Sequence, residues 1–399
     1  MTAQIDFITS HGTFALSALD GERVYDLLHR HQIPWTAVAT YLKKSGRSES
    51  FVFPSLHLPI DSLDADHVLS IIYQRNINPF EFAQPELLLS PPKDLQQPVT
   101  EYVYADYLNG GNTIIRQLSV DECKDAVATQ VHEMLSLTLP ASSSPIQIVV
   151  GVSGGGDSNA LLSAMATYRG EKHSVEVLPV IICGPGEWNS GVPRAKAICE
   201  SFGLSLTIVS EDESAEILGV TDRETPLMDR FARAYPGEDY EAMGTLIIRL
   251  CLARVAKQHS ARYICTGLNL EDLLAETLLR YLQIAPPIQF PARPIDGLTL
   301  LYPLWLLPKK IIDGCYPKFA YDNYHERYPS HVRGRALCYQ LAYHITSNFP
   351  GIGEKLLRSA SMIAEHFPHQ AVHDDELGFE IDKSANSMVR ERFRRFLRG

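Results

Sequence analysis

The sequence predicts an α/β fold built around a central parallel β-sheet, and three observations support this prediction. First, the chain has 399 residues, of which 45% are hydrophobic, so it is long enough for two or three domains. Second, from Ile146 onward nearly continuous apolar runs, such as IQIVVGV and VEVLPVIIC, alternate with helical segments, as in a parallel sheet covered on both faces. Third, a glycine-rich loop directly follows the first of these apolar runs.

The order of elements predicts four regions, at residues 1–83, 84–145, 146–285 and 286–399. The first resembles a β-grasp module, because it has a hairpin around Gly12, a helix and a late strand, HVLSIIYQR. The second is a proline-rich linker followed by a helix, for which Ser119 and Glu122 form a capping-box pattern. The third region contains the parallel sheet, and the fourth is predicted to be mainly helical.

Composition narrows the class of protein. No apolar run approaches eighteen residues and no charged-then-apolar leader follows Met1, so we expect a cytoplasmic protein without a membrane segment. The seven cysteines are scattered without a C-x-x-C pair, which favours reduced thiols over a disulfide framework. The net charge of −11 argues against general nucleic-acid binding, because phosphate backbones are normally met by a basic surface.

The stretch VVGVSGGGDS leaves an apolar strand and enters a helix. Backbone amides at such a junction lie at the positive end of the helix dipole, where phosphate binds readily. Three consecutive glycines let the backbone surround an anion without Cβ clashes, and the flanking serines offer hydroxyl groups. The spacing lacks the lysine of the kinase-type pattern G-x-x-x-x-G-K-S/T. The predicted nucleotide-binding residues of this loop are Ser153, Gly154, Gly155, Gly156, Asp157 and Ser158.

The motif SGGGDS resembles the pyrophosphate loop, S-G-G-x-D-S, of the N-type ATP pyrophosphatases, also called the PP-loop family. A second stretch, CTGLNLEDLLAETLL, resembles the T-G-H-N-x-D-D segment of tRNA(Ile)-lysidine synthetase and of the tRNA thiolases for 2-thiocytidine and 2-thiouridine. Asn269 and Asp272 match that segment, whereas Leu268 replaces its histidine and Glu271 replaces its first aspartate. The resemblance covers about residues 146–366.

This resemblance implies a sheet of the adenine nucleotide α-hydrolase (HUP) type. It also implies that ATP is cleaved to AMP and pyrophosphate while a carbonyl-type oxygen of an acceptor is adenylated, with ATP and Mg²⁺ as cofactors. Gly267 and Asn269 are then further ATP contacts, and Asp157 and Asp272 are the implied metal ligands. The candidate catalytic residues are Asp157, Asp272, Glu271 and Cys183.

The nucleophile that follows adenylation is either nitrogen or sulfur. Cluster-dependent thiolases carry C-x-x-C in the helix before the second motif, where this sequence has Glu241 and Gly244. Cys183 is the one cysteine that the pattern places at the catalytic edge of the sheet. We therefore expect amine ligation, as in lysidine formation, with Glu271, Asp272 or Glu241 as general base. The alternatives are thiolation, through Cys183 or an external sulfur donor, and nucleotide binding without catalysis.

The sequence also indicates the kind of partner and further charged residues that could contact a ligand. The net charge favours a small-molecule acceptor over tRNA, and the N-terminal module is a candidate docking site for a protein partner. Glu241, Arg249 and Arg254 stand where lysidine synthetases carry an E…R…R pattern. The two arginines do not share a helix face, so at most one of them is expected to meet the acceptor or the phosphates. The PKK stretch at 308–310 is a candidate pyrophosphate contact, and the basic C-terminal segment is expected to be a solvated helix.

Overall fold

The computed structural model describes most of the chain between Gln4 and Arg398. The described residues are 4–9, 12–31, 33, 38–45, 51–52, 56–73, 100–106, 112–168, 170, 174–184, 188–220, 224–235, 239–322, 333–349, 351–367, 371–374, 379–382 and 387–398.

The N-terminal region is a mixed five-stranded sheet with one helix. Strands β1 and β5 lie side by side and parallel in the centre, and the strand order is β2-β1-β5-β3-β4. Phe7, Leu27 and Leu69 are completely buried between sheet and helix. The elements are β1 (Gln4–Thr9), β2 (Gly12–Leu16), α1 (Val24–Arg30), β3 (Val38–Lys44), β4 (Phe51–Val52) and β5 (His67–Tyr73).

The region predicted as a linker with a helix also contains a β-hairpin. Strands β6 (Thr100–Asp106) and β7 (Asn112–Leu118) pair with each other in antiparallel fashion. Helix α2 (Val120–Thr138) follows, and the predicted capping box is present. The Ser119 hydroxyl accepts the Glu122 N–H at 3.3 Å, and the Glu122 carboxylate accepts the Ser119 N–H at 2.8 Å. The proline-rich stretch before the hairpin lies outside the described residues.

The predicted central parallel sheet is confirmed. Its strand order is β10-β9-β8-β11-β13-β12, and every neighbouring pair is parallel except β12 with β13. Residues alternate between two apolar clusters along β8, since Val149 belongs to one cluster while Ile148 and Val150 belong to the other. The strands are β8 (Ile146–Gly151), β9 (Val175–Ile182), β10 (Thr207–Val209), β11 (Tyr263–Cys265), β12 (Ala292–Ile295) and β13 (Leu298–Leu301).

Helices connect these strands and cover the sheet. The helix that follows the glycine loop begins at Gly156, so the loop lies between β8 and that helix, as the sequence predicts. The helices are α3 (Gly156–Thr167), α4 (Trp188–Ser201), α5 (Glu211–Ile217), α6 (Leu227–Ala234), α7 (Asp239–Gln258) and α8 (Leu270–Leu282).

The sheet extends beyond the predicted boundary at residue 285. Strands β12 and β13 lie in the region expected to be mainly helical, and β13 pairs in parallel with β11. The turn between them contains Asp296 and Gly297, both with positive φ, of 46° and 75°. An Asp-Gly pair between two short apolar runs is a hairpin signal, because both residues tolerate this backbone conformation. This signal was present in the sequence and identifies the missed strands.

The remaining C-terminal elements are mostly helices, with one further hairpin. The basic terminal helix is docked and not merely solvated: Phe393, Phe396 and Leu397 are buried, and Phe396 contacts the ring of Phe231 on α6. The elements are α9 (Lys309–Cys315), α10 (Pro317–Asp322), α11 (Arg333–Asn348), α12 (Ile352–Ala364), β14 (Ala371–Asp374), β15 (Phe379–Asp382) and α13 (Ser387–Arg398).

No helix in the described parts of the chain is both long and apolar enough to span a membrane.

Candidate nucleotide-binding site

The glycine loop turns sharply between β8 and α3. Gly154 has φ of 77°, a left-handed conformation that favours glycine, and Gly155 is the extended residue that precedes α3. The Ser158 hydroxyl folds back to accept the N–H of Ser153 at 3.1 Å, and the two serine hydroxyls are 3.2 Å apart. The loop therefore places backbone and hydroxyl groups at the start of a helix, where an anion is favoured.

Helix α4 packs closely against this loop. A Cβ on Gly154 would lie 2.5 Å from the carbonyl oxygen of Gly191, and a Cβ on Gly191 would lie 2.2 Å from that of Ser153. The guanidinium Nε of Arg194 also donates to the Gly154 carbonyl at 3.2 Å. The sequence analysis missed both Gly191 and Arg194. A glycine in the first turn of a helix was the signal for a close backbone approach.

On the other side of the loop, Asn269 links the two predicted metal ligands. Its side-chain amide donates to Asp157 Oδ1 at 3.2 Å. Its backbone N–H donates to Asp272 Oδ2 at 3.1 Å, and its side-chain oxygen accepts the Asp272 N–H at 3.0 Å, which caps α8. Gly267 lies against Asp157, since a Cβ there would be 3.5 Å from Asp157 atoms. The structure therefore brings Asp157, Gly267, Asn269 and Asp272 together.

Lys309 completes this group of charges. Its ammonium forms an ion pair with Asp157 Oδ2 and lies 3.9 Å from Asp313 Oδ1. The lysine is only 6% exposed, and Asp313 is 1% exposed. The sequence analysis named the PKK stretch as a candidate pyrophosphate contact, and the structure places its middle residue against the loop aspartate. A lysine held at this depth carries its charge where phosphate would approach.

Glu271 is buried and hydrogen-bonded to α9 and α11. It is 3% exposed, and each carboxylate oxygen is already bonded. Oε2 accepts the Lys309 N–H at 2.8 Å, and Oε1 accepts the Thr346 hydroxyl at 3.1 Å. Burial raises the pKa of Glu271 to about 7. These contacts favour a structural role, in which Glu271 fixes the start of α9 and thereby Lys309, over the predicted catalytic role.

Asp272 is the more accessible of the two neighbouring acids. Its Oδ1 accepts the hydroxyl of Tyr339 on α11 at 3.1 Å. Burial and then the nearby charge of Asp157 raise the pKa of Asp272 to about 6. A carboxyl group with this pKa changes its protonation close to neutral pH, so it is suited to proton transfer.

Cys183 does not have the surroundings of a reactive thiolate. It is 9% exposed at the end of β9, and burial raises the pKa of its thiol, as do the charges of Glu211 and Glu213. A nucleophilic cysteine needs the opposite, a lowered pKa beside positive charge. All seven cysteines are buried, including Cys251 and Cys265. The side chain of Glu241 lies outside the described residues.

The oxygen donors at this site fit a magnesium ion. Asp157 and Asp272 offer carboxylate oxygens that are joined through Asn269, and Mg²⁺ prefers one or two carboxylates together with substrate phosphates. Asp157 and Asp272 would hold the ion, whose positive charge would let pyrophosphate lie beside the two carboxylates. Lys309 already supplies one positive charge to Asp157.

Comparisons with known proteins identify similar folds only. No protein-family model matches the sequence, and no curated protein matches it. One similar solved structure is the U34-tRNA thiolase NcsA from Methanococcus maripaludis with its 4Fe-4S cluster, at 16% identity and a TM-score of 0.49, over 69% of this chain and 86% of that chain.

Two other similar structures are synthetases. The NH3-dependent NAD synthetase from Campylobacter jejuni has 15% identity and a TM-score of 0.31, over 70% of this chain and 95% of that chain. The NMN synthetase from Francisella tularensis has 14% identity and a TM-score of 0.32, over 70% of this chain and 93% of that chain. At these identities and TM-scores the similarity assigns no activity to this chain, so an activity has to be inferred from the residues of the loop and its surroundings.

Proposed function

We propose that this chain is an ATP-dependent enzyme that cleaves ATP to AMP and pyrophosphate. In this proposal a carbonyl-type oxygen of an acceptor attacks the α-phosphate of ATP, and pyrophosphate leaves. An amine then attacks the carbon that bears the adenylated oxygen and displaces AMP. The acceptor is a small molecule, as the acidic net charge of the chain suggests.

The observation that carries the proposal is the arrangement around the glycine loop. Gly155 and Gly156 are partly exposed at the start of α3, where an anion is favoured. Asp157 and Lys309 meet at the same place, so a cation and a carboxylate are both available to a phosphate and its metal ion. This combination of amides, a buried ammonium and a carboxylate suits pyrophosphate better than a neutral ligand.

The preference for nitrogen over sulfur rests on the cysteines. Thiolation by a protein-bound sulfur requires an accessible thiolate, and Cys183 is buried beside two glutamates. Amine ligation requires a base for an ammonium group, and Asp272 is better placed for this than Glu271. The base role and the metal role of Asp272 compete, because a carboxylate bound to a cation is a poor base. Thiolation with an external sulfur donor is the second candidate.

The products of ATP turnover test this proposal directly. Purified protein, ATP and Mg²⁺ are incubated with candidate acceptors that carry a carbonyl or amide group, and the products are identified by mass spectrometry and by a pyrophosphate assay. We expect AMP and pyrophosphate together with an acceptor that has gained an amine. Formation of ADP and phosphate would contradict the proposal, and an acceptor that gains sulfur from an added donor would replace ligation by thiolation.

A further inference from the structure

Three arginines that belong to different elements form part of one group of interacting charges. Arg249 lies on α7, Arg293 on β12 and Arg335 on α11. We call these residues, with the neighbouring Tyr302 and Tyr339, the arginine cluster. None of these five residues takes part in the contacts of the glycine loop described above.

The contacts of the two tyrosines locate the cluster. Tyr339 donates its hydroxyl to Asp272, and the guanidinium carbon of Arg335 is 5.7 Å from the centre of the Tyr339 ring. Tyr302 follows the last residue of β13, at the same edge of the sheet from which the glycine loop leaves β8. The guanidinium carbon of Arg293 is 5.8 Å from the centre of the Tyr302 ring. The cluster therefore adjoins the proposed catalytic centre.

Arg249 interacts electrostatically with other members of the cluster. Burial lowers the pKa of its guanidinium, and the neighbouring Tyr302, Arg293, Glu276 and Arg335 also act on it. Neither Arg249 nor Arg293 has an ion pair within 4.0 Å among the described residues, and both side chains are partly buried. A partly buried charge without a partner is costly unless an anion compensates it.

Two polar atoms of the cluster are also buried without a partner. The Tyr302 hydroxyl belongs to a residue that is 0% exposed, and it has no hydrogen-bond partner among the described residues. The Nε atom of Arg293 is in the same situation. Buried polar groups are nearly always hydrogen-bonded in folded proteins, because an unpaired one costs about 1–3 kcal/mol. Both atoms are donors, so an acceptor group would satisfy them.

We propose that the arginine cluster is an oxyanion subsite that binds a carboxylate or phosphate group of the substrate. Guanidinium groups match the oxygen pairs of carboxylates and phosphates, and the Tyr302 hydroxyl adds one more donor. Binding of an oxyanion at this cluster does not depend on the proposed function. The assignment of that oxyanion to the acceptor or to the amine rests on the proposed function. The subsite would select an anionic substrate and hold its reactive end beside Asp272.

Calorimetric titration with two probes tests the subsite. The glycine loop is first saturated with α,β-methylene ATP, so that the probes cannot bind there, and then inorganic phosphate or succinate is titrated. We expect saturable binding of at least one probe by the native protein, and the probe that binds identifies the kind of oxyanion. Arg249→Gln and Arg293→Gln should each weaken this binding by about tenfold or more, the effect of losing one charge-assisted hydrogen bond. Arg262→Gln, an exposed arginine before β11, is the matched control and should bind normally.

Tyr302→Phe provides a variant that should fold at least as well as the native protein. It keeps the buried ring and removes an unpaired hydroxyl, so its melting temperature should be unchanged or higher while its affinity for the probe falls. If neither phosphate nor succinate binds to the native protein, the subsite proposal is wrong. It is also wrong if a probe still binds when Arg249→Gln and Arg293→Gln are combined in one protein. If α,β-methylene ATP does not bind, the proposed function fails. The titrations without nucleotide then still decide whether the arginine cluster binds an oxyanion.

Discussion

The ammonium of Lys309 is paired with the carboxylate of Asp157, although 152 positions separate them in the sequence. The pair joins the first turn of α9 to the first turn of α3, and the buried Glu271 anchors α9 through the Lys309 N–H. Asp157 also receives a hydrogen bond from Asn269 at the start of α8, so α3, α8 and α9 meet at one carboxylate. An incoming pyrophosphate would share the lysine with this carboxylate.

The first prediction concerns this ion pair. We expect Lys309→Met to lower the rate of pyrophosphate release by about a hundredfold or more, the effect typical of losing a preorganised charge stabiliser. The matched control is Lys257→Met, because Lys257 pairs with Asp296 in the turn between β12 and β13, at the opposite edge of the sheet. The control should affect stability but not turnover. Equal activity of Lys309→Met and the native protein would exclude a role for this lysine.

The second prediction concerns the two linked carboxylates. Asp157→Asn and Asp272→Asn should each reduce turnover by about a hundredfold or more, since each removes a negative charge that would hold the metal ion. An asparagine at 272 can still accept the Asn269 N–H, so the helix cap should survive and circular dichroism should be unchanged. Turnover is then measured as a function of Mg²⁺ concentration. If the native protein and Asp157→Asn depend on Mg²⁺ in the same way, the metal assignment is contradicted.

The third prediction concerns the support of the loop by α4. Gly191→Ala would place a Cβ 2.2 Å from the Ser153 carbonyl, so either α4 or the loop must shift. Overpacking of this kind costs about 1–3 kcal/mol, and we expect affinity for α,β-methylene ATP to fall by about tenfold. Gly244→Ala is the control, since its Cβ would meet the Phe231 ring at an ordinary 3.8 Å. Unchanged affinity in Gly191→Ala would show that the loop shape does not depend on α4.

The fourth prediction concerns pH and Glu271. Because burial raises the pKa of this carboxyl from 4.5 to about 7, the folded protein holds the proton more tightly than the unfolded chain. The contribution of this bound proton to the free energy of unfolding is fully present below pH 4.5 and is lost as the pH rises through about 7. Glu271→Gln cannot ionise, so its melting temperature relative to the native protein should be higher at about pH 8 than at about pH 5.

Glu213 provides a control of opposite sign for that experiment. Hydrogen bonds from the backbone and side chain of Ser210 lower the pKa of Glu213, so its stabilisation is present above its unfolded pKa and is lost in acid. Glu213→Gln should therefore lose stability at neutral pH and approach the native protein as the pH falls. A difference between Glu271→Gln and the native protein that does not vary with pH would show that Glu271 keeps an ordinary pKa.

The fifth prediction separates nitrogen from sulfur. We expect Cys183→Ser to retain full turnover with the true acceptor, because the thiol is buried and its pKa is raised. The measurement is the rate of product formation, with binding of α,β-methylene ATP as a check on folding. A loss above about a hundredfold with nucleotide binding retained would instead assign the sulfur-carrier role to Cys183.

The sequence alone determined the features that depend on local patterns. Continuous apolar runs predicted buried parallel strands, because residues covered on both faces must all be apolar. The SGGGDS loop was visible in the sequence because it is a short run whose residues contact one another. The strands β12 and β13 could also have been predicted, from the Asp296–Gly297 turn signal between them.

The tertiary structure decided which of the charged and small residues meet at the site. A lysine in PKK looks the same in sequence whether it is solvated or buried, and only the packing of α9 against α3 places Lys309 on Asp157. The adjacent acids Glu271 and Asp272 differ in the same way, because one is turned into the core and the other towards Tyr339. Contacts between residues far apart in sequence depend on how whole elements pack, and no local pattern encodes that.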